Sequence, residues 1–138
     1  MRVTRRRGYV PQDIESKWQR VWRDRGVMSA DDSSARAKFY NLVMFPYPSG
    51  DLHMGHMRNY VIGDLYSRFQ RMRRYEVLNP FGWDAFGLPA ENAAMKAGLH
   101  PETWTRDNVA RAKEQLAMMG ILYDWSREVS TCDPDYYR

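Results

Sequence analysis

Apolar residues recur along this chain with two kinds of spacing. Ile14, Trp18, Val21 and Trp22 follow one another at steps of three and four, which is the stripe of one helix face. A helix is therefore predicted from about Pro11, whose fixed φ suits a first turn, to Arg25, with Gly26 to end it. Ser29 to Arg36 is small and polar and reads as a linker. Phe39-Tyr40-Asn41-Leu42-Val43-Met44-Phe45 is short, rich in β-branched and aromatic residues, and followed by prolines, a pattern that predicts a strand buried on both faces.

Pro46 and Pro48 hold the chain extended around Tyr47, and Gly50 permits a sharp reversal. Asp51 is expected to cap the next helix. Within it Met57, Val61, Leu65, Phe69 and Met72 form one stripe, interrupted by Arg58 and Arg68 with their charged ends reaching to water. Tyr75 to Asn79 reads as a second strand, stopped by Pro80. Strand, helix and strand within about forty residues make a βαβ unit, whose right-handed crossover sets the strands parallel with their carboxyl ends on one edge. Ligands bind at that edge in open parallel sheets, so the tips Pro46 to His56 and Phe81 to Pro89 are singled out for chemistry. Two further helices are predicted. Pro89 to Lys96 is ended by Gly98, and Thr105 to Met119, with Val109, Ala112, Leu116 and Met119 on one side, is closed by Gly120. An aromatic and charged tail follows. The fold class is α/β, with residues 1–36 as a leading helix and linker and residues 37–138 as a partial nucleotide-binding domain.

Composition narrows this picture only a little. The 138 residues are 43% apolar and 14% aromatic, enough for one buried core. Net charge is +4, and lysine occurs only at positions 17, 38, 96 and 113; an arginine-rich excess of this size is compatible with a polyanionic partner without requiring one. The single cysteine, Cys132, permits no internal disulfide and suits a reducing compartment. No window approaches the eighteen or so apolar residues of a membrane span. The basic start, Met1 to Gly8, is not followed by a signal-peptide core, so a cytoplasmic protein is expected, with an arginine-rich organelle-targeting arm as the alternative.

His53 and His56 lie three apart, on one face of the first helical turn and away from the Met57 to Met72 stripe. Free backbone N–H groups and the positive end of the helix dipole suit an anion there, and two imidazole donors would complete a phosphate site. Gly55 would let a flat ligand approach the backbone. A zinc pair is disfavoured, because His100 and Cys132 are remote in sequence and no Cys/His cluster is visible. Asp84, just past a strand, is either a turn or cap carboxylate or a partner for an ammonium group at the same edge. Met44, Phe45 and Tyr47 read as the end of a core strand with an aromatic plug. Arg68, Arg71, Arg73 and Arg74 read as a solvated helix end placed to suit the dipole.

These residues carry a resemblance. His53-Met54-Gly55-His56 is similar to the His-Ile-Gly-His signature of class I aminoacyl-tRNA synthetases. Its setting, Met44 to Gly50, resembles the leucyl members rather than the isoleucyl or valyl ones. The likeness continues through Arg58-Asn59-Tyr60, through Asn79 to Glu91 and through Tyr123 to Glu128, and it covers nearly the whole chain from Tyr9. It implies the first half of a Rossmann-like (HUP-type) domain with a leading helix. It also implies ATP-dependent activation of leucine and its transfer to tRNA(Leu). His53 and His56 would act on the phosphates of ATP, carried with Mg²⁺, within a loop of Pro46, Gly50 and Gly55. Met44, Phe45 and Tyr47 would border leucine, with Asp84 on its α-amino group. The family's second signature, Lys-Met-Ser-Lys-Ser, is missing, as are its editing and anticodon-binding domains. An amino-terminal portion that charges little tRNA alone is therefore expected, with the remaining carboxyl-terminal part as its partner. A non-catalytic nucleotide-binding module and a small nucleotidyltransferase of the same superfamily are the rival readings.

Overall fold

The computed structural model describes residues 8–138. The basic stretch 1–7, and with it the reading of a targeting arm, lies outside the described residues. Helix α1 (Pro11–Asp24) opens with proline in its first turn, and Gly26 ends it at φ +54°. It buries no residue completely. Its attachments are the Arg68 guanidinium over the Trp22 ring at 5.0 Å and Gln19 Nε2 donating to the Met118 carbonyl at 3.2 Å. The linker is pinned by two buried carboxylates: Asp124 Oδ2 accepts from Ala30 N at 2.9 Å and Glu76 Oε1 from Asp31 N at 3.1 Å.

Strand β1 (Lys38–Tyr40) pairs in parallel with β2 (Glu76–Leu78), Phe39 opposite Val77. Strand β3 (Pro80–Trp83) pairs in parallel with β4 (Asp124–Ser130), with an irregularity between Pro80 and Gly82. Pro80 thus opens a strand instead of stopping one, since a proline in first position forfeits none of the ladder bonds made before it. Only Asn79 separates β2 from β3, so β1 and β4 flank one extended segment, and all the strands run the same way. The expectation of a strand buried on both faces fails. Phe39, Asn41 and Val43 face the following helix, whereas Tyr40, Leu42 and Met44 are exposed, because helices cover only one side of β1.

Helix α2 (Met54–Met72) also turns the opposite way from the sequence expectation. The apolar stripe is the outer face, with Leu65 66% and Met72 83% exposed. The inner face is Tyr60, Gly63, Asp64, Ser67 and Gln70. A 3.6-residue apolar period marks a face without saying what covers it. Hydrogen bonds decide the orientation. Asn41 Nδ2 donates to Ser67 Oγ at 2.7 Å, to the Gly63 carbonyl at 2.9 Å and to Asn79 Oδ1 at 3.2 Å. A Cβ on Gly63 would lie 2.5 Å from Val43 Cγ1, so only glycine permits this approach. Arg68 is turned partly inward: its Nε donates to Asp64 Oδ2 and its Nη2 to the Gly120 carbonyl, each at 2.7 Å. Arg71 likewise turns inward, its Nη2 donating to the Val77 carbonyl at 3.1 Å.

Helix α3 (Leu88–Ala97) ends at Gly98 in the left-handed region, φ +67°. Helix α4 (Pro101–Met118) begins one turn before the expected Thr105, because Pro101 opens it and His100 Nδ1 accepts from Glu102 N at 3.3 Å. Gly120, at φ +71°, closes its end. Strand β4 and the short helix α5 (Pro134–Tyr137) replace what the sequence offers only as a tail. The core lies between α2, α4 and the strands. Phe81 sits at its centre, with ring centroids 4.4 Å from Tyr123, 5.1 Å from Trp83 and 5.2 Å from Tyr60. No helix among the described residues is long and apolar enough to cross a membrane.

Two substitutions test this packing. Asn79→Ala should lower stability by about 1 to 2 kcal/mol in urea unfolding, since it strands the Leu122 carbonyl, while Asn41 keeps Ser67 and Gly63. Arg74, exposed and held at φ +69°, should give about 0.5 kcal/mol of added stability on Arg74→Gly.

Candidate functional site

The loop after β1 carries buried Pro46 and Pro48 and delivers the chain to α2. The residue that caps α2 is His53, not Asp51. His53 has extended backbone, φ −122° and ψ 176°, and its Nδ1 accepts from Gly55 N at 3.1 Å. His56 Nδ1 returns the favour by accepting from His53 N at 3.2 Å. Asp51 is too far back to reach these groups and is held instead by α4, where its Oδ1 accepts from Gln115 Nε2 at 3.3 Å and Arg111 Nη1 at 3.5 Å. The cap leaves a signature in the rings. An Nδ1 that accepts a hydrogen bond carries no proton, so in this cap the ring proton of each histidine belongs on Nε2.

The two rings lie 3.9 Å apart, and His56 stacks on Tyr60 at 5.8 Å with an interplanar angle of 11°. Burial, and then the neighbouring His53, hold the His56 pKa below its ordinary 6.5. His53 is exposed. A Cβ on Gly55 would stand 2.9 Å from His53 Cε1, so the space over this glycine is taken by the folded-back ring. The arrangement puts two imidazoles, each with an Nε2–H donor, at the positive end of a 19-residue helix, which suits an anion.

Asp84 follows β3 directly. Its backbone N donates to the Pro46 carbonyl at 3.0 Å, and Thr131 Oγ1 fixes the next turn by accepting from Ala85 N at 2.8 Å and Phe86 N at 3.2 Å. Asp84 and the start of α2 therefore share the rim at the carboxyl ends of the parallel strands. Phe45 reaches across the strand, 6.2 Å from Phe81, over Gly82, where a Cβ would lie 2.5 Å from Phe45 Cε2. The structure thus gathers Phe45, Pro46 and Asp84, whereas Met44 and Tyr47 open to solvent and Tyr47 is no plug.

Two cavities lie elsewhere. One of about 430 Å³ separates α1 from α4 and β4, beside Trp22, Met28 and Trp125, and one of about 420 Å³ lies between α4 and β4 beside Val109, Glu128 and Cys132. Neither is lined by His53, His56 or Asp84. Among the described residues no three His, Cys, Asp or Glu side chains gather as metal ligands. His100 caps α4, and Cys132 lies 3.3 Å from Ser130 Oγ. Sequence reasoning missed Gln115 and Arg111, which tie the loop to α4; surface polar residues on a helix carry no pattern that announces such a role.

Comparison with known proteins gives this geometry a family. The model of the tRNA synthetases class I (M) matches residues 42–131. Leucine–tRNA ligase of Thermotoga maritima is 59% identical over 130 residues, 94% of this chain and 16% of that protein. The ligase of Syntrophus aciditrophicus is 54% identical over 132 residues, 96% of this chain and 15% of that protein. Among solved structures, the LeuRS of Agrobacterium radiobacter K84, in a ternary complex with tRNA and LeuAMS, superimposes with a TM-score of 0.90 at 47% identity, covering 93% of this chain and 17% of that one. Methionyl-tRNA synthetase of Mycobacterium tuberculosis, in complex with methionyl-adenylate, gives 0.67 at 30% identity over 72% of this chain and 19% of that one. The chain therefore spans about one sixth of the length of the relatives it matches, 16% in the first case, and with the family model covering well over half of its residues it belongs to the class I tRNA synthetases.

Proposed function

We propose that this chain forms the ATP- and leucine-binding part of a leucine–tRNA ligase, which joins leucine to AMP as leucyl-adenylate and then passes it to tRNA(Leu). One observation carries the reading: the His53–His56 cap sets two imidazoles at the start of α2, on the same strand rim as Asp84. Relatives named leucine–tRNA ligase at 54–59% identity supply the amino acid. A leucine carboxylate oxygen attacks the α-phosphorus of ATP, and the bond to the leaving pyrophosphate breaks. His53 and His56 donate to the phosphate oxygens, and Pro46, Gly50 and Gly55 contribute further contacts to ATP. Asp84 takes the α-ammonium of leucine by a charge-assisted hydrogen bond, and Met44, Phe45 and Tyr47 border its side chain. Alignment and charge stabilisation suffice for such a transfer. Mg²⁺ is carried to the site on the phosphates of ATP.

The partner within this reading is the rest of a synthetase polypeptide. The outer face of α2, with Val61, Leu65 and Phe69, is exposed, and so are Tyr40 and Leu42 by β1, whose other edge is unpaired among the described residues. Apolar faces and an open strand edge are suited to receive further strands and helices. The cytoplasm is the compartment this reading assigns.

Three measurements test it. By calorimetry, His53→Ala and His56→Ala should each weaken ATP binding about tenfold, the scale of one hydrogen bond to a charged group. Asp84→Asn should spare ATP and weaken leucine; an equal loss for both ligands would sink its assignment. Leucine-dependent ATP–pyrophosphate exchange should appear when the rest of a leucine–tRNA ligase is supplied in trans, and its absence with a folded complex would refute the activity. Acid should also loosen the cap. The His56 pKa is lowered in the folded chain, so the unfolded chain binds the proton more readily and folding disfavours protonation. This contribution is intact above the ordinary value of 6.5 and is lost as pH falls from there toward the lower folded value; urea titrations across that window should show a slope that His56→Asn reduces.

A further inference from the structure

Between Pro46 and the start of α2 the chain runs over the rim with few ties to the rest of the molecule. Among the described hydrogen bonds, the backbone of residues 47–52 is attached at one point, where Leu52 N donates to Gln115 Oε1 at 3.0 Å. The same amide uses its other end on the same loop: Gln115 Nε2 donates to Asp51 Oδ1 at 3.3 Å, with Arg111 Nη1 one helical turn earlier adding a contact at 3.5 Å. Leu52 packs against the core cluster beside Leu116, so the loop is held by an apolar anchor and a two-ended amide together. The next residue is His53, which caps α2 and whose ring orientation depends on where its own backbone sits.

We infer that Gln115 is a positioning residue for the phosphate site, acting on His53 and His56 through the Leu52 and Asp51 contacts. The inference rests on the proposed function for what the site holds, and on geometry alone for what Gln115 does. Only a side-chain amide fits both contacts. A carboxylate keeps the acceptor for Leu52 N but sets like charge against Asp51, and an ammonium keeps a donor while losing the acceptor. The grip reaches the histidines one residue away, while the Asn41 and Asn79 bonds that orient α2 are untouched.

The test uses the whole chain. Long-range ¹H–¹⁵N spectra at neutral pH should show both wild-type imidazoles as the Nε2–H form. Gln115→Glu should average the two tautomers and raise the Kd for Mg·ATP about five- to tenfold, the scale of one hydrogen bond. Gln115→Met, which keeps the stem and removes both bonds, should give the same loss without the charge contact. Adding Asp51→Asn to Gln115→Glu restores a donor opposite the new carboxylate and should recover both the spectrum and the affinity, which general damage would not allow. Unchanged rings in both single variants, or no recovery in the double variant, would overturn the assignment. If the wild-type chain does not bind Mg·ATP, the proposed function falls, while the ring spectra still decide the role of Gln115.

Discussion

A pair of hydrogen-bonded amides, Asn79 and Asn41, sets the geometry on which everything else rests. Asn79 sits between β2 and β3 with no exposed surface, at the point where the extended segment stops pairing with one neighbour and starts pairing with the other. Its Oδ1 receives Asn41 from the β1 side, its Nδ2 donates to the Leu122 carbonyl on the β4 side at 3.1 Å, and its own carbonyl accepts from Asp124 N. Asn41 in turn reaches α2. One connected polar network therefore locks three strands and a helix into a single register. A buried network of this kind is favourable only when its members find partners, and it is specific for the same reason.

The site at the rim is a downstream result of that locking. Helix α2 is turned so that Tyr60 lies inside and the capping histidines emerge above it. The same bonds that satisfy the first backbone donors also fix the tautomer of each ring. Asp84 is tied to the other side of the rim through Pro46. A phosphate site and a carboxylate thus stand beside each other without either depending on a closed pocket.

The sequence made several parts of this legible. Glycine at 26, 98 and 120 and proline at 11 punctuate helices whose stripes have a clear period, and His53, His56 and Asp84 stand out within motifs of known setting. Three things were hidden. The apolar stripe of α2 has the right spacing but the opposite facing, because polar contacts from Asn41, Asn79 and Leu122 outweigh it and because the strands are covered on one side only. The cap fell to His53, since imidazole Nδ1 can accept like the carboxylate that the usual preference assigns to Asp51. Pro80 looked like a stop, yet it marks where pairing changes partner. For the helix facing and for Pro80 the deciding contacts come from far along the chain, where local pattern has no reach; for the cap they are local but made by an unusual acceptor.

The outward stripe of α2 has one more implication. Directional bonds on the inner side set the roll of this helix without any contact on its outer side. A surface laid over Val61, Leu65 and Phe69 would add burial without calling for a rotation of the imidazoles, so the aim of the rim and the shelter of the stripe rest on different contacts.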